Sequence, residues 1–221
     1  MQPKMLKDQL SPEECLALLD SVGAGVLCLN GTDGWPYAVP VNFVRVGDRL
    51  YYHGRRTGER VDCMEADGRC RLVAFRERGY DDYGPDACDT TTAFESVVVK
   101  GTVSAVSDDA EKAEALRALT DKLTPSKRGA PLAADRVPRT GVFRIEVAEV
   151  TGKRHAPGPD STVRPARPPL GPLEKKGMAP SRGPFLGRGR AQRPRSSFLF
   201  LIFSVTVFFD LDLEPAAASS F

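Results

Sequence analysis

The sequence predicts a mainly β protein with inserted helices (α+β), built on a small antiparallel six-stranded barrel. Three observations carry that prediction. Six runs of β-branched and aromatic residues have the alternation or composition of strands, several of them separated by glycine-bearing turns at hairpin spacing. Two or three amphipathic stretches are inserted between them, as expected where helices cover the ends of a small barrel. The barrel pattern is complete by residue 155, after which the composition changes.

Ser11-Pro12-Glu13-Glu14 opens the first helix. Ser11 is suited to the cap, Pro12 to the first helical position, and Glu14 to the third position of a capping box. Leu16, Leu18 and Leu19 give it an apolar side and Gly23 stops it. Gly25 to Asn30 is the first strand, followed by the turn Gly31-Thr32-Asp33-Gly34. Pro36 to Val46 alternates Tyr37, Val39, Val41 and Phe43, Gly47-Asp48 is a two-residue hairpin turn, and Arg49 to His53 returns. Trp35 is expected to pack on this hairpin.

Thr57 to Ala66 changes to helical spacing and Gly68 ends it. Cys70 to Phe75 is a strand. Glu77 to Thr92 is polar and contains glycine and proline, so it is expected to be the longest loop of the domain, with Cys88 in it. Ala93 to Val106 is a long strand with Gly101 placed for a bulge or a close backbone approach. Ser107 caps a helix over Asp108 to Leu123 with a stripe of Ala113, Leu116 and Leu119 and an acidic first turn. Pro125 to Pro138 is a loop. In Gly141 to Thr151, Phe143, Ile145 and Val147 are expected to face inward, and Val142, Arg144 and Glu146 outward.

Charge divides the chain in the same place. Residues 1–151 hold 20 Lys+Arg against 24 Asp+Glu, whereas residues 152–221 hold 11 against 5, with ten of the 18 prolines. The domains are therefore read as 1–155, the barrel, and 156–221, a Pro/Arg-rich disordered tail. The apolar run Phe198 to Phe209 within it is short of the roughly 20 residues a membrane-spanning helix requires. Two readings of this tail stay open: an interfacial anchor, or an out-of-frame extension that is not native sequence. Five cysteines form no Cys-x-x-Cys pair and no zinc spacing, and no export signal is visible, so a cytoplasmic location with reduced thiols is expected.

The chemistry is concentrated at Tyr51-Tyr52-His53-Gly54-Arg55-Arg56-Thr57-Gly58-Glu59-Arg60, where a strand ends in a basic cluster and a helix begins. The first turn of a helix has amide N–H groups without intrahelical partners and so attracts an anion. Thr57 adds a hydroxyl, Gly58 lets backbone approach, and Arg56 and Arg60 supply charge-assisted hydrogen bonds suited to a phosphate. His53 at the strand end could exchange a proton near neutral pH.

Several stretches carry a family resemblance. Trp35-Pro36-Tyr37-Ala38-Val39-Pro40-Val41-Asn42-Phe43, Leu50-Tyr51-Tyr52-His53-Gly54, Gly58 with Arg60, Phe94-Glu95-Ser96-Val97-Val98-Val99-Lys100-Gly101 and Phe143 to Lys153 occur in order. Together they resemble the pyridoxamine 5'-phosphate oxidase-like split β-barrels of FMN-binding type, in their nitroimidazole-resistance branch, over about residues 14 to 155. The resemblance implies FMN as cofactor, with Val41, Asn42 and Phe43 presented to the isoalloxazine ring. It further implies that His53 lies near the flavin, that Thr57, Gly58 and Arg60 form the phosphate-binding turn, and that Ser96 reaches in from an opposing strand.

It also implies a homodimer with the flavin at the interface, and an oxidoreductase that passes electrons from a reduced nicotinamide donor to a small electron-poor acceptor such as a nitroimidazole. Arg55 and Glu59 depart from the pattern, which commonly has a small residue and a lysine there. Non-catalytic flavin carriage or sensing, or a barrel holding haem or a deazaflavin, are the alternatives. No specific nucleic-acid partner and no metal site are expected.

Overall fold

The fold is set by six strands that each pair with two others. In the computed structural model, which describes residues 7–157 and the backbone of 162–164, these are β1 (Ala24–Asn30), β2 (Pro36–Val46), β3 (Arg49–Gly54), β4 (Arg69–Asp82), β5 (Thr90–Ala105) and β6 (Gly141–His155). The order β1-β2-β3-β6-β5-β4 closes through a β4–β1 pairing, and every pairing is antiparallel. This is the six-stranded split barrel the sequence predicts, and closure removes the edges that an open sheet would expose.

Helix α1 (Pro12–Ser21) starts at the expected capping box. Ser11 Oγ accepts from the Glu14 amide at 3.2 Å, and the Ser11 amide donates to Glu14 Oε2 at 2.8 Å. Helix α2 (Glu59–Ala66) begins two residues later than the sequence suggests, because Gly58 takes φ +110° and stands outside it as the N-cap. Helix α3 (Asp109–Leu123) is capped by Asp108, not Ser107, with Asp108 Oδ1 accepting from the Glu111 amide at 2.7 Å. A short 3-10 turn, Pro125–Lys127, follows.

Two apolar clusters result. The barrel interior holds Leu27, Phe43, Leu50, Tyr52, Leu72, Val97, Val99, Phe143 and Ile145. The second lies under α3 and holds Val44, Tyr51, Val106, Leu116, Leu119 and Val142. Val142 is therefore buried, not outward and solvent-facing as its alternation with Phe143 suggests: one helix covers that face of the barrel, which strand periodicity cannot show. Ala113 is only half-buried and Ala115 takes the buried place beside Leu116.

The expected long loop is corrected. Glu77 to Thr92 is mostly a hairpin, because β4 continues to Asp82 and β5 starts at Thr90, leaving only residues 83–89 between them. A bulge between Glu77 and Gly79 breaks the period and hides the strand from sequence inspection. Glu95 Oε2 accepts from Arg76 at 2.6 Å and Arg78 at 2.9 Å, so the charges there are cross-strand partners and not loop polarity. Trp35 is also corrected: it is 75% exposed and belongs to neither apolar cluster.

Gly101 meets the expectation. The β5–β6 register shifts at Lys100/Gly101, and a Cβ on Gly101 would lie 2.3 Å from the Glu146 carbonyl oxygen. A short strand β7 (Thr162–Arg164) pairs with Tyr80–Asp82 of β4, within the segment read from sequence as tail. Residues 158–161 and 165–221, including Phe198 to Phe209, lie outside the described residues. Among the described residues no helix is long and apolar enough to cross a membrane.

Candidate functional site

The end of β3 is where the sequence-derived candidates gather. His53 pairs with Val142 and Gly54 with Gly141, and the chain then leaves the sheet through Arg55–Gly58 into α2. Arg56, Thr57 and Gly58 are exposed on this turn. Gly58 occupies the left-handed region, and its carbonyl accepts from the Val61 amide at 2.7 Å and the Asp62 amide at 3.1 Å, starting the helix. Glu59, at the first helical position, is exposed.

Arg60 points back over the end of the barrel. Its Cζ lies 4.9 Å from the Phe143 ring centroid and 5.3 Å from that of Tyr52, and the two rings are stacked at 5.0 Å. Nη2 donates to the Arg55 carbonyl at 3.0 Å. Gly54 and Gly141 make this geometry possible. A Cβ on Gly54 would fall 2.3 Å from Arg60 Nη2, and one on Gly141 would fall 2.4 Å from the Gly54 carbonyl oxygen.

Three buried polar atoms on Tyr52, His53 and Arg60 have no hydrogen-bond partner, the Tyr52 hydroxyl, Nδ1 of His53 and Nε of Arg60. Such atoms are costly unless something else engages them. Burial, reinforced by the Arg60 charge, holds the His53 imidazole below its ordinary value, so it is neutral at pH 7. Beside the turn a cleft of about 370 Å³ opens, lined by Arg56, Val61, Ser107, Lys112, Thr140 and Phe143 among others. Lys112 in it is already engaged, donating to Asp109 Oδ1 at 3.0 Å and the Pro138 carbonyl at 3.1 Å.

The remaining candidates lie on other strands. The Phe43–Tyr52 pairing sets Asn42 and Val41 alongside the end of β3. Val41 and Phe43 are buried, and the Phe43 ring is sealed by Lys122, whose Nζ lies 4.3 Å from its centroid. Asn42 Nδ2 donates to the Gly23 carbonyl at 3.0 Å, and the Phe43 carbonyl accepts from Lys122 Nζ at 3.0 Å.

Ser96 is half-buried on β5, opposite Phe75 and Lys153. Val142, opposite His53, and Lys153, opposite Ser96, stand at the two ends of β6. Round the closed sheet the shorter route runs from β5 through β4, β1 and β2 to β3, four inter-strand steps or roughly 19 Å at about 4.8 Å each. One chain thus leaves Ser96 and His53 four strands apart. Sequence reasoning missed the aromatic bed of Tyr52 and Phe143, which only strand pairing creates, and Lys112 in the cleft. Gly54 ends the strand motif Leu50-Tyr51-Tyr52-His53-Gly54, and its lack of a side chain was the available signal.

A family model described as pyridoxamine 5'-phosphate oxidase matches residues 11–154, most of the chain. The chain belongs to the pyridoxamine 5'-phosphate oxidase family. No curated protein matches it. Among solved structures it is similar to the flavocytochrome Anf3 of Azotobacter vinelandii, with 27% identity over 84% of this chain and 91% of that one and a TM-score of 0.62. The FAD and heme binding protein of Mycobacterium smegmatis shares 21% identity over 78% of this chain and 93% of its own, with a TM-score of 0.63. A protein described as a 5-nitroimidazole antibiotic resistance protein of Bacteroides thetaiotaomicron VPI-5482 shares 22% over 66% and 85%, with a TM-score of 0.57. The last two likenesses establish the fold, in agreement with the barrel described above.

Proposed function

We propose that this chain is an FMN-binding flavoprotein that reduces small electron-poor acceptors, nitroimidazoles among them, using a reduced nicotinamide donor. The observation that carries the reading is the turn at the end of β3. It offers exposed Arg56 and Thr57, a helix start opened by Gly58 at φ +110°, and the unpartnered Nδ1 of His53 in the same corner. Those features suit a terminal phosphate beside a planar heterocycle. The likeness to a flavocytochrome and to a protein named for nitroimidazole resistance supports a flavin and that acceptor class.

Arg56, Thr57 and Gly58 would meet the phosphate, with Arg60 part of the same turn, and Val41, Asn42 and Phe43 would border the ring. Bound flavin supplies the redox chemistry, moving electrons from donor to acceptor. His53, neutral at pH 7, would offer a hydrogen bond or accept a proton at the ring edge, and it is a weak acid in that state.

The distance between His53 and Ser96 within one chain favours a homodimer in which Ser96 comes from a second copy. The outer face around Ser96 suits such contact, since Phe75 opposite it is 60% exposed and Val73 and Val98 are half-buried beside it. All five cysteines are unpaired, which supports a reducing, cytoplasmic setting.

The test is an absorption spectrum of protein purified without added cofactor, with mass identification of what heat releases, followed by anaerobic assay of a 5-nitroimidazole with NADH or NADPH. A flavin spectrum with FMN released and acceptor-dependent nicotinamide oxidation is expected. Flavin without turnover would leave a carrier or sensor. The likeness to a flavocytochrome, together with the neutral, unpartnered nitrogen of His53, sustains one second reading, haem ligated by His53. A Soret band would select it.

A further inference from the structure

Arg60 is held by two aromatic rings and one backbone carbonyl. Two aromatic faces lie under it at 4.9 and 5.3 Å, the Arg55 carbonyl accepts from Nη2, and the bare backbone of Gly54 sits where any side chain would collide with it. A side chain whose work is to reach a phosphate is better placed in solvent, as Arg56 is two residues from the strand end. Arg60 instead ties the first turn of α2 back to the loop that precedes it. The tie joins residues five apart, Arg55 and Arg60, and encloses Arg56, Thr57, Gly58 and Glu59.

We propose that Arg60 is a positioning residue: it clamps the Arg55–Gly58 turn against the Tyr52–Phe143 pair, and Arg56, Thr57 and the turn's amides, not Arg60's own charge, meet the anion. The proposal refines the flavin reading of this turn and rests on it for the identity of the anion, though not for the clamp itself. A planar, forked guanidinium can stack on two rings and reach a carbonyl at once, whereas a lysine ammonium is a point charge that serves a phosphate but not this geometry. The clamp and the direct-contact roles therefore separate on the Arg60→Lys substitution.

The experiment compares wild type, Arg60→Lys, Arg60→Ala and Gly54→Ala, the last displacing the guanidinium while keeping every charge. Native protein without ligand is treated with trypsin, and cleavage after Arg55 and Arg56 is counted by mass against cleavage after Arg71 and Lys100 within the strands, which reports global opening. Loss of the clamp is expected to raise the turn's relative cleavage by about tenfold or more in all three variants, since local opening tracks local free energy. Unchanged relative cleavage in Arg60→Lys and Gly54→Ala overturns the proposal.

FMN titration then gives the second arm. Arg60→Lys is expected to bind as weakly as Arg60→Ala, and Arg60→Lys binding like wild type means that charge alone suffices, which also overturns it. If wild type binds no flavin, the functional reading falls, and the trypsin comparison still decides what Arg60 does.

Discussion

Replacing Gly141 by alanine probes the junction on which the site depends. A Cβ there would lie 2.4 Å from the Gly54 carbonyl oxygen, 3.1 Å from Arg56 Cγ and 3.4 Å from the Arg55 carbonyl carbon. The arginine methylene can move aside, but the Gly54 oxygen is backbone at the last rung of the β3–β6 ladder. Relief requires the end of β3 to retreat by about 1 Å, at an overpacking cost of about 1–3 kcal/mol. Weakening of a ladder hydrogen bond adds about 0.5–1.5 kcal/mol. The reduced freedom of the unfolded chain returns about 0.4–1 kcal/mol.

The net loss is then about 0.5–4 kcal/mol, or a fall in Tm of about 1–16 °C for a chain of this size. Urea denaturation followed by far-ultraviolet circular dichroism measures it. Because the same retreat displaces the Arg55–Gly58 turn, FMN affinity should fall as well. Arg56→Ala in the same chain removes only the 3.1 Å contact and should restore little. An unchanged urea midpoint for Gly141→Ala, or full rescue by Arg56→Ala, would refute the packing argument.

Three further outcomes follow from other parts of the molecule. Gly101→Ala forces a Cβ to within 2.3 Å of the Glu146 carbonyl at the β5–β6 bulge, so a loss of about 2–4 kcal/mol is expected in the same denaturation assay. Lys122 donates to the Leu19 and Phe43 carbonyls at 2.9 and 3.0 Å, and Lys122→Met should cost about 1.5–3 kcal/mol at pH 7, where the ammonium is charged. Burial pushes Lys122 down to about 8 from its ordinary 10.5, so the unfolded chain binds more protons in that interval and this group adds stability as pH climbs through it. The methionine variant should lack that slope.

His53, also held down by burial, contributes stability that is complete above about pH 6.5 and is lost as pH falls below it. With only two histidines in the chain, proton NMR titration with His155→Gln as the assignment control suffices. A His53 midpoint at or above 6.5 would contradict its buried position.

Local signals proved legible where one residue type answers one backbone demand. The Ser11–Glu14 capping box, the Gly47-Asp48 turn with Gly47 at φ +61°, and the Gly101 bulge stand where the sequence places them. The β4–β5 hairpin was not legible, because a bulge at Gly79 breaks its alternation and its charges are satisfied only across the strands. Nor was the burial of Val142, which depends on α3 lying over that face.

At the candidate site, the cluster from His53 to Arg60 was legible as a basic strand end meeting a helix start. What Arg60 touches was not, because Tyr52 and Phe143 are 91 residues apart and meet only through the β3–β6 register. The separation of Ser96 from His53 likewise appears only once the strand order of the closed sheet is known.

The central claim is that the turn at the end of β3 holds the phosphate of a flavin. Its most direct test is the dissociation constant of FMN against that of riboflavin, which lacks the phosphate, measured by quenching of flavin fluorescence at one ionic strength. Even one charge-assisted hydrogen bond from this turn, at about 1.5–3 kcal/mol, predicts that riboflavin binds at least about tenfold more weakly. Equal affinities for the two flavins would contradict the assignment of this turn.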